Sequence, residues 1–250
     1  MNANVVGMIV FISTFGAAML GTRLHTVLPK HYFDAESKDT VKVGIGLIAT
    51  MTALVLGLVT ASAKSSFDNV NTAVKAFATQ TLALDRALAR YGSETGGIRK
   101  ELKRVVGGRI DMVWPQDSSK PVSLDPLSGG EEIARAIRNL KPTDDSQRTL
   151  QARALDLAET LLQSRWIVTT SIGASVPLPF LAVLLFWLTI TFASFGLFAP
   201  RNAMVVAVLF VCALSVASAL FLVLEMDGPF DGFLKVSPEP LRSAYARLNK

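Results

Sequence analysis

The residues whose types could do chemistry are few, and they do not cluster. His25 and His31 stand six positions apart in one polar stretch, without neighbouring metal ligands, and read as interfacial loop histidines. The single cysteine, Cys212, lies inside a charge-free run, where it can form no intrachain disulfide and reads as a buried packing residue. No Gly-rich phosphate loop, HExxH, CxxC or serine-nucleophile elbow occurs. The expectation is therefore a protein that is not an enzyme and holds no cofactor or metal. Three polar sets remain, all at the edges of apolar runs. Lys64 follows the hydroxyl-bearing Thr60 and Ser62 and precedes Ser65 and Ser66. Arg201 and Asn202 stand where a helix would begin, and free N–H groups there favour an anion as readily as a cap. Glu225, Asp227 and Asp231 form an acidic cluster after another run. Each set also reads plainly as a topology marker or a helix stop.

The elements that position these groups are hydrophobic. Half of the 250 residues are apolar, mean hydropathy is +0.41, and only 18% are charged, against about 25% in soluble domains. The deficit is local. Residues 4–21, 43–63, 166–200 and 202–224 contain no Asp, Glu, Lys or Arg. About 20 apolar residues cross a hydrocarbon core of roughly 30 Å. Unpaired backbone groups are too costly in lipid for anything but helix in such runs. The first run has no basic segment before it and is longer than a signal-peptide core, so it reads as a retained helix.

The second run, 43–63, is the most patterned. Ala49, Ala53, Gly57 and Ala61 recur every four residues with Gly46 beside them, a small-residue stripe that lets helix backbones approach closely. Leu47, Met51, Leu54 and Leu58 form a second, apolar stripe. In one reading the small stripe packs and the leucines meet lipid. In the other, the leucine stripe and Lys64 line a path at the centre of an oligomer, the apolar ring acting as a constriction.

Between the second and third runs lies a soluble insert, 64–168. Val70, Val74, Phe77, Thr81, Leu84, Leu88 and Tyr91 repeat as a heptad seam, with no helix breaker before them. A basic amphipathic helix over 98–113, a Pro-rich loop, a short helix to 140 and a second seam (Leu150, Ala154, Leu157, Leu161, Val168) follow. Asp144, Asp145 or Ser146 can cap the last of these helices. The two seams predict an antiparallel helical hairpin. The fold class expected is thus all-α. It has four transmembrane helices (the first two in 1–63, the others in 169–226), the insert over 64–168, and a tail, 227–250. In the tail, Leu241, Tyr245 and Leu248 share one face of a short amphipathic helix lying on the membrane or the soluble domain.

Four crossings put both termini and the insert on one side. That side holds 20 of the 25 Lys and Arg residues, which favours a cytoplasmic placement in an inner membrane. The net charge of +5 fits topology and anionic lipid, and no basic block with interleaved aromatics suggests nucleic acid.

The segments GIGLIAT at 44–50, ASAKSSFD at 61–68, FGLFAPRN at 195–202, and LE at 224–225 with GPFDG at 228–232 together resemble a bestrophin-like family of bacterial integral membrane proteins. The resemblance covers the membrane half well, and the insert only in its order of helices. It implies an oligomeric channel for a small anion such as chloride, with four membrane helices per subunit and the second lining the pore. The acidic calcium clasp of the animal channels has no clear counterpart here. A homo-oligomeric anion channel is the first expectation. A non-conducting membrane scaffold or sensor, docking a partner on its helical domain, is the alternative.

Overall fold

The computed structural model describes residues 3–27, 35–115, 129–170, 178–200, 202–230 and 232–250. These are all-helical, with no strand among them. The helices are α1 (Ala3–Val27), α2 (Ala35–Tyr91), α3 (Gly96–Val113), α4 (Gly129–Arg138), α5 (Asp145–Thr170), α6 (Leu178–Phe198), α7 (Ala203–Asp227) and α8 (Glu239–Arg247). Four of them (α1, α2, α6 and α7) are long and apolar enough to cross a membrane. The chain divides into two compact units, one of residues 1–65 and 173–227, the other of 66–172 and 228–250. The 57-residue α2 contributes to both.

Unit one is built on α1. Its core gathers Val10 and Ala18 of α1, Val59 and Ala63 of α2, Leu184, Leu188 and Phe192 of α6, and Leu209, Ala213 and Leu220 of α7. Phe210 of α7 meets Phe11 and Phe15 of α1 edge-on, at 5.4 and 5.5 Å between ring centroids. Against α6 the approach is backbone to backbone. A Cβ placed on Gly21 would overlap the carbonyl oxygen of Ala193, and one on Gly196 would overlap that of Ala18. Lipid supplies no hydrophobic drive between helices, so such close van der Waals contact is what holds the pair. Thr14, Thr52 and Thr191 are buried in this unit without leaving a hydroxyl unpaired. Each donates to a carbonyl one turn back, 2.7 to 2.9 Å away.

Unit two holds both seams. Val70, Val74, Thr81, Leu84, Leu88 and Tyr91 are buried on α2, and Ala154, Leu157 and Leu161 on α5. Residues 164–170 of α5, Val168 of its seam among them, lie outside the described side chains. The main core of the unit also takes Leu102, Val106 and Ile110 of α3, Ile133 and Ile137 of α4, and Leu241, Ala244 and Leu248 near the end of the chain. Helix α8 therefore belongs to this core. Its buried face runs through Ala244, while Tyr245 is 37% exposed, since the packed line steps by three and four from Leu241.

Helix ends here are satisfied by side chains. Gly92 follows α2 at φ 146°, a conformation that favours glycine, and Thr95 Oγ1 donates to Leu88 O at 2.6 Å. Gln147 Nε2 donates to Tyr91 O at 3.1 Å, and Gln151 Nε2 to Ile137 O and Leu140 O, both at 2.9 Å. Two glutamines in the first turns of α5 thus cap the ends of α2 and α4. Of the three candidate caps for α5, Asp144 is used, accepting from Gln147 N–H at 2.7 Å. Ser128, which stands three residues before Glu131 as in a capping box for α4, lies outside the described residues.

One buried polar atom, the Tyr91 hydroxyl, has no hydrogen-bond partner among the described residues. Burying an unpaired hydroxyl costs about 1–3 kcal/mol, whereas an apolar group of the same shape costs nothing comparable. Tyr91→Phe is therefore expected to leave thermal stability unchanged or raise it by up to about 1 kcal/mol. Calorimetry of the full chain in detergent checks this, and a fall in melting temperature would mean the hydroxyl has a partner.

Candidate functional site

Over its charge-free stretch α2 presents three lines of residues. Ile45, Thr52, Val59 and Ala63, spaced by seven and four, are buried at 9%, 5%, 7% and 0% exposure and pack within the unit. About half a turn round lie Leu47, Met51, Leu54 and Leu58, exposed at 64%, 49%, 67% and 63%. Between these two lines runs the small-residue stripe. Gly46, Ala53, Gly57 and Ala61 are exposed, and Ala49 is half-buried. A Cβ on Gly46 or Gly57 would meet nothing within 4 Å. Within a single chain, neither stripe read from the sequence is covered. The line that does pack was missed, because its Ile, Thr, Val and Ala share no single type. Its signal was the heptad-like step alone.

Lys64 is exposed one residue beyond the buried Ala63. At the other end, Lys42 pairs with Asp39 at 3.1 Å in an exposed contact. Asn202 acts as a helix cap, its Oδ1 accepting from Val205 N–H of α7 at 2.8 Å. Its neighbour Arg201, like Asp231 and His31, lies outside the described residues. Glu225 is buried near the end of α7, which runs to Asp227 rather than stopping before them. His25 is exposed in the last turn of α1. Among the described residues no three His, Cys, Asp or Glu side chains gather as metal ligands would. Cys212, expected to be buried, instead faces outward from α7. The buried line of that helix passes through Leu209, Ala213, Ala217 and Leu220, and position 212 falls off it.

A second constellation lies in unit two, where α3 spends its basic residues on the rest of the unit. Arg99 makes a two-pronged bond to the buried Asp85 of α2, Nε to Oδ1 at 2.8 Å and Nη2 to Oδ2 at 2.9 Å. The hydrogen bonds to Asp85 hold the Arg99 guanidinium above its ordinary pKa. Asp85 Oδ2 also accepts from Asn249 N–H at 3.3 Å, and Arg99 Nη2 donates to Lys250 O at 3.3 Å. Lys103 Nζ donates to Leu248 O at 3.2 Å and lies 5.3 Å from the Tyr245 ring centre. Arg104 pairs with Glu101, and that bond holds the Glu101 carboxyl below its ordinary value. Two of the five basic residues of α3, Arg99 and Lys103, thus fasten residues 248–250. The missed residue is Asp85, a carboxylate beside the seam positions Leu84 and Leu88.

Four apolar helices of spanning length, with an uncovered apolar face on α2, define an integral membrane protein of the four-span, all-helical class. The bestrophin-like domain matches residues 12–241, nearly the whole chain, and the protein belongs to that family. No curated protein and no solved structure matches it.

Proposed function

We propose that the protein is an oligomeric channel for small anions, with α2 lining the path. The observation that carries this reading is the row Leu47, Met51, Leu54 and Leu58, uncovered in the single chain and set opposite the line that packs. Four helices without intramembrane charges enclose no aqueous path alone, so a pore needs several copies around an axis. The small-residue stripe beside that row offers neighbouring copies a close approach, and family membership supports assembly and conduction. On this reading both termini and the helical hairpin of unit two face the cytoplasm of a bacterium, and Lys64 forms a basic ring at the inner mouth.

Conductance of the purified protein in a planar bilayer under asymmetric KCl tests this. Openings that reverse near the chloride equilibrium potential support an anion path. Reversal near that of potassium discards the anion, and silence from a verified, folded oligomer favours the non-conducting scaffold. Across a tenfold gradient the two ideal limits lie about 59 mV on either side of zero. Lys64→Glu is expected to move the reversal potential toward the potassium limit, because a ring of fixed negative charge repels anions. An unchanged value removes Lys64 from the path.

The scaffold reading draws on a specific observation too. Unit two has its own core, and its end segment is fastened by Asp85, Arg99 and Lys103. A rigid domain of this kind suits docking a partner.

A further inference from the structure

Beside α2 the surface of unit one is hollowed by an open groove of about 640 Å³. Residues 42–49 of α2 form one wall, and the end of α6 with the start of α7 forms the other. The floor and walls are apolar, with Ile45, Phe195, Val208 and Leu209 among them, and Phe195 and Val208 are 47% and 53% exposed. The polar groups are not spread evenly. Lys42 and Asn202 stand where the two walls begin, Ser194 further back on α6 spends its hydroxyl on Ile190 O at 2.8 Å, and Ala49 and Leu209 lie seven positions further along their helices.

The dimensions select among occupants. Seven residues of helix rise about 10 Å, which is less than one leaflet of a hydrocarbon core roughly 30 Å thick. A helix of a second copy would need a channel running the whole span, and this one stops short. A single acyl chain entering from one interface can lay its upper part in that depth and continue into the leaflet. The volume falls within the roughly 300–1,000 Å³ usual for small-ligand sites. The wall ends carry the matching charge. Among the described residues Lys42 is tied by an exposed pair to Asp39, side chains 61% and 74% accessible, and such pairs are worth about 0–1 kcal/mol. Its ammonium can therefore turn to a phosphate. The first turn of the 25-residue α7, at the same mouth, adds the positive end of the helix, with Val205 N–H and Val206 N–H already taken by Asn202.

We propose that this groove seats one acyl chain of an anionic phospholipid whose phosphate is held by Lys42 and the first turn of α7. The site needs the four spans to lie in a bilayer and, in the oligomer proposed above, neighbouring copies to approach along Ala53, Gly57 and Ala61 of the stripe, because Gly46 and Ala49 line the groove.

The test uses the full chain, exchanged in mild detergent into micelles doped with phosphatidylglycerol or phosphatidylcholine, and reads lipid retained per protomer by native mass spectrometry. One phosphatidylglycerol per protomer is expected to persist, retained at least threefold over phosphatidylcholine. Ala49→Trp fills the groove from α2 and Val208→Trp fills it from α7. Each is expected to remove that lipid, provided circular dichroism shows the helices intact. Lys42→Gln should keep lipid binding and lose the headgroup preference. Equal lipid retention in the wild type and both tryptophan variants overturns the proposal. So does trapping of a second copy in the groove, detected in a Cys212→Ser background as a Phe195→Cys disulfide dimer that excludes lipid. Two tryptophan variants on opposite walls guard against one of them failing to fold.

Discussion

Gly196→Leu is expected to unfold unit one at markedly lower denaturant than the wild type, with a loss at or above the upper end of the roughly 1–3 kcal/mol usual for overpacking. Most overpacked side chains find relief in a new rotamer. Here the first added carbon is already in conflict, because a Cβ at Gly196 overlaps the carbonyl oxygen and approaches the Cα of Ala18. Backbone cannot rotate aside, so α1 and α6 must separate along the contact. Gly21 faces Ala193 in the same crossing, and separation there gives up a second close contact. In lipid the loss is not offset by any hydrophobic gain, since acyl chains are as apolar as leucine. Gly57→Leu supplies the contrast. The space beside Gly57 is open within the chain, so protomer unfolding should hold its wild-type midpoint. An effect on assembly alone, read by light scattering or crosslinking, is what an interface between copies would give. Detergent-to-denaturant titration followed by circular dichroism separates the two variants. Equal midpoints for Gly196→Leu and wild type would mean that α1 and α6 do not cross so closely.

The same crossing shows where sequence patterns carry information and where they do not. Spans announce themselves through the absence of charge, since a bilayer tolerates no unpaired polar group. The seams of α2 and α5 are legible because burial against a neighbour imposes a heptad period, and Val70, Val74, Leu84, Leu88, Leu157 and Leu161 are indeed buried. In a lipid-embedded helix, however, both faces are apolar, so periodicity no longer distinguishes inside from outside. That is why the small-residue stripe of α2 stands out in the sequence, although among the described residues the glycines set closest against another helix's backbone are Gly21 and Gly196, between α1 and α6. The spacing Ala17 to Gly21 held the same four-residue signal, and Ala193 with Gly196 a three-residue version. Charge partners were illegible for a different reason. Asp85 and Arg99 are 14 residues apart and meet only because the 3₁₀ turn at Ser93–Thr95 sends α3 back beside α2. No local rule pairs them, nor Lys103 with Leu248.

That buried pair yields the second large effect. Arg99→Met is expected to destabilise unit two by about 3–5 kcal/mol, the usual cost of stranding one partner of a buried ion pair. The Asp85 side chain is 5% exposed, and among the described residues it would keep only the 3.3 Å contact from Asn249 N–H. Asp85→Asn should cost less, because Arg99 is 15% exposed and can recover some water. Replacing both, as Asp85→Leu with Arg99→Met, should return most of the loss, since an apolar pair of similar volume is often neutral or stabilising. A simple list of lost bonds would predict the reverse order, with the double variant the weakest. Chemical denaturation of the full chain measures the three values. Hydrogen exchange supplies a readout that stability alone does not move. The Asn249 amide should exchange faster in all three variants, including a double variant as stable as wild type, because each removes its carboxylate acceptor or the guanidinium that steadies it. Protection at Asn249 that survives in that double variant would show residues 248–250 held by the burial of Leu248 and the Lys103 bond instead.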